Sequence, residues 1–323
     1  MAGFGPLAGG ASREMFGFDL VEPGRPRRSL VLRMDPGPGR MQSDRAEEFR
    51  LLVVAGEAGV TVPAVRWLGE ETEGLGARFI VMDRVRGEAI ARRLLRDEAY
   101  ARTRSALPGE LARELARIHA IDVEDQRVSA LRLRAASGDD PCRFARFEIQ
   151  RYRDLLALAD QSWPRPALRF AERWLREHAP ACSRPALVHG DFRIGNVMFD
   201  EKGLTAVLDW ELAHVGDPLE DVGWLAVRAW RFGRDELAVG GLCGREEFWK
   251  LYERERGSPV SRAAALWWEI FGDWKWAIIC VLQAASHKAG RYPNVELASL
   301  GRRVAEVEWE LIRLLEGNDA RPA

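Results

Sequence analysis

No run of about 18 apolar residues occurs anywhere in this 323-residue sequence, so it encodes no helix able to cross a bilayer. The opening stretch MAGFGPLAGGASREMF has no basic segment followed by an apolar core, which argues against a secretory leader and for a cytoplasmic protein. Cysteine is scarce. Cys142, Cys182, Cys243 and Cys280 lie far apart with no C-x-x-C pair, which speaks against a zinc ribbon or a disulfide framework and for free thiols. Net charge is nearly absent as well: 48 Lys+Arg against 49 Asp+Glu leave −1, so no basic field recommends nucleic acid or an anionic membrane as a partner. Internal repeats and long linkers are also lacking.

What is present is a chain 47% hydrophobic and 30% charged, large enough for two lobes and a sizeable core. Its chemistry concentrates in residues 187–217, LVHGDFRIGNVMFDEKGLTAVLDWELAHVGD. The apolar runs 186–188, 196–199 and 205–208, with charge and glycine between the last two, predict a strand, a loop and a hairpin. His189, Asp191, Asn196 and Asp209 then fall at strand ends. His-x-Asp-x-x-x-x-Asn repeats the spacing of a protein-kinase catalytic loop, with Gly190 where eukaryotic protein kinases put Arg. In that arrangement one carboxylate orients a substrate hydroxyl, while an amide and a second carboxylate hold Mg²⁺. The residue types suit the reaction, because a loose phosphoryl-transfer transition state mainly needs alignment and hard oxygen ligands suit Mg²⁺.

The segments HGDFRIGNVMFD and VLDWELAHVGDP resemble the aminoglycoside phosphotransferase family, small-molecule kinases with a protein-kinase-like fold. GGASRE, LVLR and FGDWKWAIIC look like the branch of kinase-like domains fused to acyl-CoA dehydrogenases. The resemblance implies an α+β, two-lobe fold: a small antiparallel-sheet N-lobe over residues 1–85 and a larger, mainly helical C-lobe over 86–323. It implies ATP and Mg²⁺ as cofactors. Asp191 would orient the acceptor hydroxyl, His189 support the loop, Asn196 and Asp209 hold the metal, and Asp217 brace the loop through backbone and His contacts. Gly9, Gly10 and Ser12 would cover the nucleotide. Arg33 takes the phosphate-contacting place that kinases give to Lys, Met82 would lie against the adenine, and the backbone of Asp83 and Val85 would bond its edge.

The N-terminal pattern accommodates this. LAGGASREMFGFDL, residues 7–20, predicts strand, glycine turn and strand; SLVLRM, residues 29–34, is a strand stopped by Asp35-Pro36-Gly37-Pro38-Gly39. A helix is expected from Asp44, as N-cap, to Ala58, with Phe49, Leu52 and Val53 on one stripe. Glu48 borders that stripe and is the acid placed to pair with Arg33. Residues 78–85, RFIVMDRV, predict another strand.

Beyond Gly87 the pattern turns helical. Pro108-Gly109 should open a helix ending near His119, and Trp163-Pro164-Arg165-Pro166 should separate two helices within 141–179. His119 and His178 read as helix-end residues. Gly216-Asp217-Pro218 opens a helix through Val227, in which Glu220 and Asp221 answer the helix dipole. A Trp-rich helix over 266–287 and a last helix from Glu296 to Leu315 complete the chain.

A protein kinase would carry Asp-Phe-Gly, a long activation segment and Ala-Pro-Glu; here Asp209-Trp210-Glu211 leads at once to Gly216-Asp217-Pro218, leaving little room to dock a peptide. A pseudokinase binding module would not need Asp191, Asn196 and Asp209 together. The expected partner is a small-molecule hydroxyl acceptor. An aminoglycoside is a polycation and calls for excess carboxylate. Residues 121–187 hold 12 Arg against 10 Asp+Glu, and residues 211–323 hold 15 Lys+Arg against 18 Asp+Glu, so neither stretch is strongly acidic. Trp267, Trp268, Trp274, Trp276 and Phe271, with Lys275, Lys288 and Arg291, suggest an aromatic and locally basic wall. Such a wall suits an uncharged or anionic acceptor, a hydroxyacyl thioester for example, although helical spacing also buries aromatics as plain core.

Overall fold

In the computed structural model, a five-stranded antiparallel sheet in the order β1-β2-β3-β5-β4 forms the smaller lobe. The structure describes residues 2–7, 14–34, 45–69, 75–128, 131, 137–159, 164–291 and 294–317. The strands are β1 (Ala2–Pro6), β2 (Glu14–Leu20), β3 (Arg28–Met34), β4 (Val65–Gly69) and β5 (Phe79–Asp83), with helix α1 (Arg45–Glu57) between β3 and β4. Strand β3 is central: β2 pairs with it from Glu14↔Met34 to Leu20↔Arg28, and β5 from Met34↔Phe79 to Leu30↔Asp83. Its alternation puts Leu30 and Leu32 on one buried face with Val81, which sends Arg33 to the other.

Two expectations for this lobe shift. The first strand lies at Ala2–Pro6 rather than from Leu7, whose N–H donates to the Met15 carbonyl at 2.9 Å. In α1 the buried face is Leu51, Leu52, Val54 and Ala55, with Phe49 and Val53 only half-buried. Glu48 lies on that buried face instead of at its border, because its carboxylate is enclosed by the guanidiniums of Arg33 and Arg45. Gly9, Gly10, Ser12, the 35–39 turn and the Asp44 cap lie outside the described residues.

The larger lobe is mainly helical: α2 (Ala91–Arg96), α3 (Ala101–His119), α4 (Arg143–Ala157), α5 (Pro166–Glu177), α6 (Leu219–Ala226), α7 (Arg245–Arg256), α8 (Arg262–Lys288), α9 (Val295–Leu300) and α10 (Val304–Leu315). Two short ladders sit among them, β6 (Ala186–Val188) with β9 (His214–Gly216) and β7 (Val197–Asp200) with β8 (Gly203–Val207). Pro108 does not open a helix; it lies inside α3, buried beside the fully enclosed Leu107 and Leu111. Burial of that face outweighs the backbone hydrogen bond the proline removes. The last helix is interrupted by a tight turn at Gly301–Arg303, where a Cβ on Gly301 would stand 2.9 Å from that of Ala284. No helix among the described residues is long and apolar enough to cross a membrane.

Helices α6 and α8 approach with almost nothing between them. A Cβ at Gly223 would lie 2.4 Å from the backbone carbon of Trp268, and one at Gly272 would lie 2.6 Å from the Val227 side chain. Most of the Trp-rich helix is therefore core: Trp267, Trp268, Phe271 and Trp274 are buried. The indoles of Trp267 and Trp274 donate to the carbonyls of Leu175 and Leu168, at 3.1 and 3.0 Å. These four cannot line an acceptor site, because they are enclosed, Trp267 and Trp274 against α5, Trp268 against Gly223 of α6 and Phe271 against Tyr152 of α4. Trp276 instead joins a cluster with Trp224 and Trp230, its ring 4.9 Å from that of Trp230.

Candidate active site

The loop after β6 is held by its backbone. Gly190 adopts φ 80°, and a Cβ there would come within 2.4 Å of the Leu212 carbonyl oxygen, so the turn requires glycine. Asp221, buried on α6, accepts the N–H groups of His189 and Gly190 at 2.7 and 2.9 Å. Its Oδ2 also meets His119 Nε2 at 3.1 Å, and His119 Nδ1 lies 2.6 Å from the Tyr252 hydroxyl. Burial works to raise the Asp221 pKa, but the hydrogen bond and charge of His119, with His189 and its amide, hold it below the usual carboxylate range.

The acid bracing the loop is thus Asp221, not Asp217. Asp217 caps its own helix through the Leu219 N–H at 3.0 Å, and burial raises its pKa. Asp221 lies one turn further on and reaches the loop, so its role is more than an answer to the helix dipole. His119 likewise belongs to this polar support rather than to simple helix-end packing.

His189 is fully buried, and desolvation lowers its pKa although Asp221, Asp191 and Asp209 pull the other way, so the ring is neutral. The hydrogen-bond pattern then assigns the tautomer. Nε2–H donates to the Leu208 carbonyl at 3.0 Å, and Nδ1 accepts the Asp191 N–H at 3.2 Å. Through one ring the catalytic loop is fastened to the end of the β7–β8 hairpin.

The Asp191 carboxylate is surrounded by donors. Oδ1 accepts from Trp224 Nε1 at 2.7 Å and Arg193 Nε at 3.2 Å, and Oδ2 accepts from Asn196 Nδ2 at 2.5 Å. Asn196 Nδ2 also reaches the Asp191 carbonyl at 2.9 Å. Asp209 follows β8 in a left-handed conformation, φ 68° and ψ 61°, unusual for a non-glycine residue. Its Oδ1 lies 3.1 Å from Arg33 Nη2, while Arg33 Nη1 ion-pairs with Glu48. Two polar groups result: Arg33 with Glu48 and Asp209, joining the lobes, and Asp191 with Asn196, Arg193 and Trp224, on the loop that runs into the β7–β8 hairpin after which Asp209 follows.

The donor set fits a nucleotide and Mg²⁺. One amide oxygen and one carboxylate are hard ligands of the kind Mg²⁺ takes alongside water and phosphate. No cluster of three or more His, Cys, Asp or Glu able to cage a metal exists among the described residues. Arg33 Nε is buried without a hydrogen-bond partner among the described residues, a donor of the type an anion would use.

Met82, expected against the adenine, is buried in β5 opposite Val31. The Asp83 N–H donates to the Ala64 carbonyl at 2.9 Å, and its carboxylate is bound by Arg66. That corrects part of the expectation: the Asp83 N–H is committed to the sheet, so only its carbonyl remains for a base edge. Val85 lies just beyond Arg84, whose N–H closes the ladder on Ser29 at 2.9 Å.

Sequence reasoning missed several residues here. Trp224 carried no motif, and Lys275 was one basic residue among others. Lys275 is buried, with Nζ 3.1 Å from the Gly190 carbonyl and 3.2 Å from Glu220 Oε1. Glu220 also meets His214 Nε2 at 3.1 Å, so it sits between two cations rather than merely at a helix start. Lys288 lines a different groove, with Arg165 and Glu308.

A family model described as the phosphotransferase enzyme family matches residues 4–259. The chain belongs to that family. Mouse acyl-CoA dehydrogenase family member 10 is 30% identical over 245 residues, which cover 72% of this phosphotransferase and 22% of the dehydrogenase. The chain thus spans about a fifth of that relative's length. Among solved structures, a putative aminoglycoside phosphotransferase from Ralstonia eutropha superimposes with a TM-score of 0.73 at 25% identity, over 96% of this chain and 92% of that one. A thermostable aminoglycoside phosphotransferase mutant, in ternary complex with AMP-PNP and hygromycin B, gives 0.54 at 19% identity over 98% and 94% of the two chains, a likeness of fold.

Proposed function

We propose that this phosphotransferase moves the γ-phosphoryl group of ATP to a hydroxyl of a small molecule, with residues 1–85 and 86–323 as its two lobes. The observation that carries the reading is the Asp191 carboxylate, fixed by Trp224, Arg193 and Asn196, with the Arg33–Asp209 pair joining the lobes one hairpin further along the chain. Asp191 orients the acceptor hydroxyl and takes its proton late, as bonding to phosphorus develops. Asn196 and Asp209 would hold Mg²⁺, which neutralises charge on the phosphates when bound. Arg33, kept in place by Glu48, supplies guanidinium donors to the phosphates, and His189 fastens the loop. A related fold binds AMP-PNP, which supports an adenine nucleotide as donor.

The acceptor side favours an uncharged or anionic compound over a polyamine. Arg193 lies on Asp191 and over the Trp230 ring, 4.6 Å from its centroid, and Lys275 lies 4.5 Å from the centroid of Trp224. Arg193, beside the hydroxyl-orienting carboxylate, disfavours a polycation there, whereas the Lys275 charge is buried and balanced by Glu220. A hydroxyacyl thioester fits that reading, and an aminoglycoside is the alternative. A coupled ADP-release screen across aminoglycosides, amino alcohols and hydroxyacyl thioesters tests both. Saturable phosphorylation of kanamycin would reverse the choice of acceptor, and wild-type turnover in Asp191→Ala would overturn the reaction itself.

A further inference from the structure

A lysine in the interior of a helix has no packing need for its charge, and an apolar side chain of similar length fills such a place at lower cost. Lys275 is buried at 2% exposure on α8, yet its ammonium is fully engaged. Nζ donates to the Gly190 carbonyl at 3.1 Å and to Glu220 Oε1 at 3.2 Å. It also lies over two rings, 4.5 Å from the centroid of Trp224 and 5.4 Å from that of Tyr152.

Two of the four groups it touches, Gly190 and Trp224, are attachments of Asp191. Gly190 precedes it in the chain, and Trp224 donates its indole N–H to Oδ1 at 2.7 Å. Gly190 is now held at both ends, its N–H by Asp221 at 2.9 Å and its carbonyl by Lys275. Those two contacts fix the peptide planes from which Asp191 projects. The close glycine contact between α6 and α8 brings the ammonium within reach.

We propose that Lys275 is a positioning residue for phosphoryl transfer, setting the Asp191 carboxylate from behind through Gly190 and from the side through Trp224. This rests on the phosphotransfer reading above. A displaced carboxylate leaves nucleotide binding intact and slows the step that uses it.

Lys275→Met is the direct variant, in which Glu220 keeps His214 as its partner, and Lys275→Met with Glu220→Gln is a second variant that carries no buried carboxylate at that place. Three measurements are made on each: MgATP affinity by calorimetry, acceptor-free MgATP hydrolysis as the turnover probe, and amide hydrogen exchange over residues 187–196. MgATP affinity is expected to stay within about twofold, while kcat falls by about 10- to 100-fold, as for a misplaced reacting group. Exchange should quicken in the catalytic loop and not in the β1–β5 sheet. A folded double variant with wild-type kcat and wild-type loop exchange would overturn the proposal while leaving the phosphotransfer reading in place. Wild-type protein that fails to bind MgATP would overturn the parent reading, and this one with it, before any variant is compared.

Discussion

The Trp224 indole N–H donates to Oδ1 of Asp191 at 2.7 Å, and the same helix presents Asp221 to the amides of His189 and Gly190. One short helix therefore holds both the backbone and the side chain of the catalytic loop. Replacing Trp224 by Phe keeps the ring and removes the donor. Turnover is expected to fall by about tenfold, the scale of one hydrogen bond to a charged group, with MgATP affinity unchanged in calorimetry. An unaltered kcat would show that Arg193 and Asn196 suffice to orient the carboxylate.

Asp221→Asn and Asp217→Asn separate the two acids on the way into α6. The first loses the carboxylate that bridges two loop amides and His119, and turnover is expected to drop at least about 100-fold, as for loss of a positioned group. The second keeps an oxygen that can accept the Leu219 N–H, so stability and kcat are both expected to stay close to wild type. Steady-state kinetics beside urea titration reads both, and a reversed order would return the bracing role to Asp217.

Arg33 joins Glu48 on α1 to Asp209 at the other lobe. Arg33→Ala is expected to raise the KM for MgATP and remove most turnover, whereas Arg33→Lys retains part because charge persists without the planar fork. Asp209→Asn should abolish the Mg²⁺ dependence of ATP binding. Wild-type kinetics in Arg33→Ala would reduce Arg33 to a strut between lobes.

His214 gives a pH signature. Burial acts to lower its pKa, but the charge and hydrogen bond of Glu220 prevail and push it up to about 9 from an ordinary 6.5. A folded pKa above the unfolded one means the protonated ring stabilises the native state. That contribution is complete below pH 6.5 and is lost as pH rises through about 9. The stability gap between wild type and His214→Gln, from chemical denaturation, should be widest near pH 6 and close by about pH 10. A gap that widens with pH would mean the ring is neutral in the fold.

Where the site could be read in the sequence, the reason is that its members are close along the chain. Asp191 and Asn196 are separated by a short loop and are in contact, and Asp209 follows one hairpin later, so spacing along the chain was enough to single out the three. Glu48 could be singled out from helical phase as a partner for Arg33, and the two are paired. Asp221 was hidden because an acid in a first helical turn has an adequate local explanation, and only the fold shows what it touches. Trp224 and Lys275 act across 33 and 85 residues, a distance over which no periodicity speaks. The two-lobe architecture was legible, while the interior place of Pro108 and the burial of Trp267, Trp268 and Trp274 were decided by tertiary packing.

The bare contact between Gly223 and the Trp268–Glu269 backbone has a mechanical consequence. Elsewhere in a core, a misfit is absorbed by rotamers, which act as compliant washers between rigid parts. Here main chain bears on main chain, so the spacing of α6 and α8 has no such washer, and it is the Lys275, Asp221 and Trp224 side chains that carry this spacing on to Gly190 and Asp191.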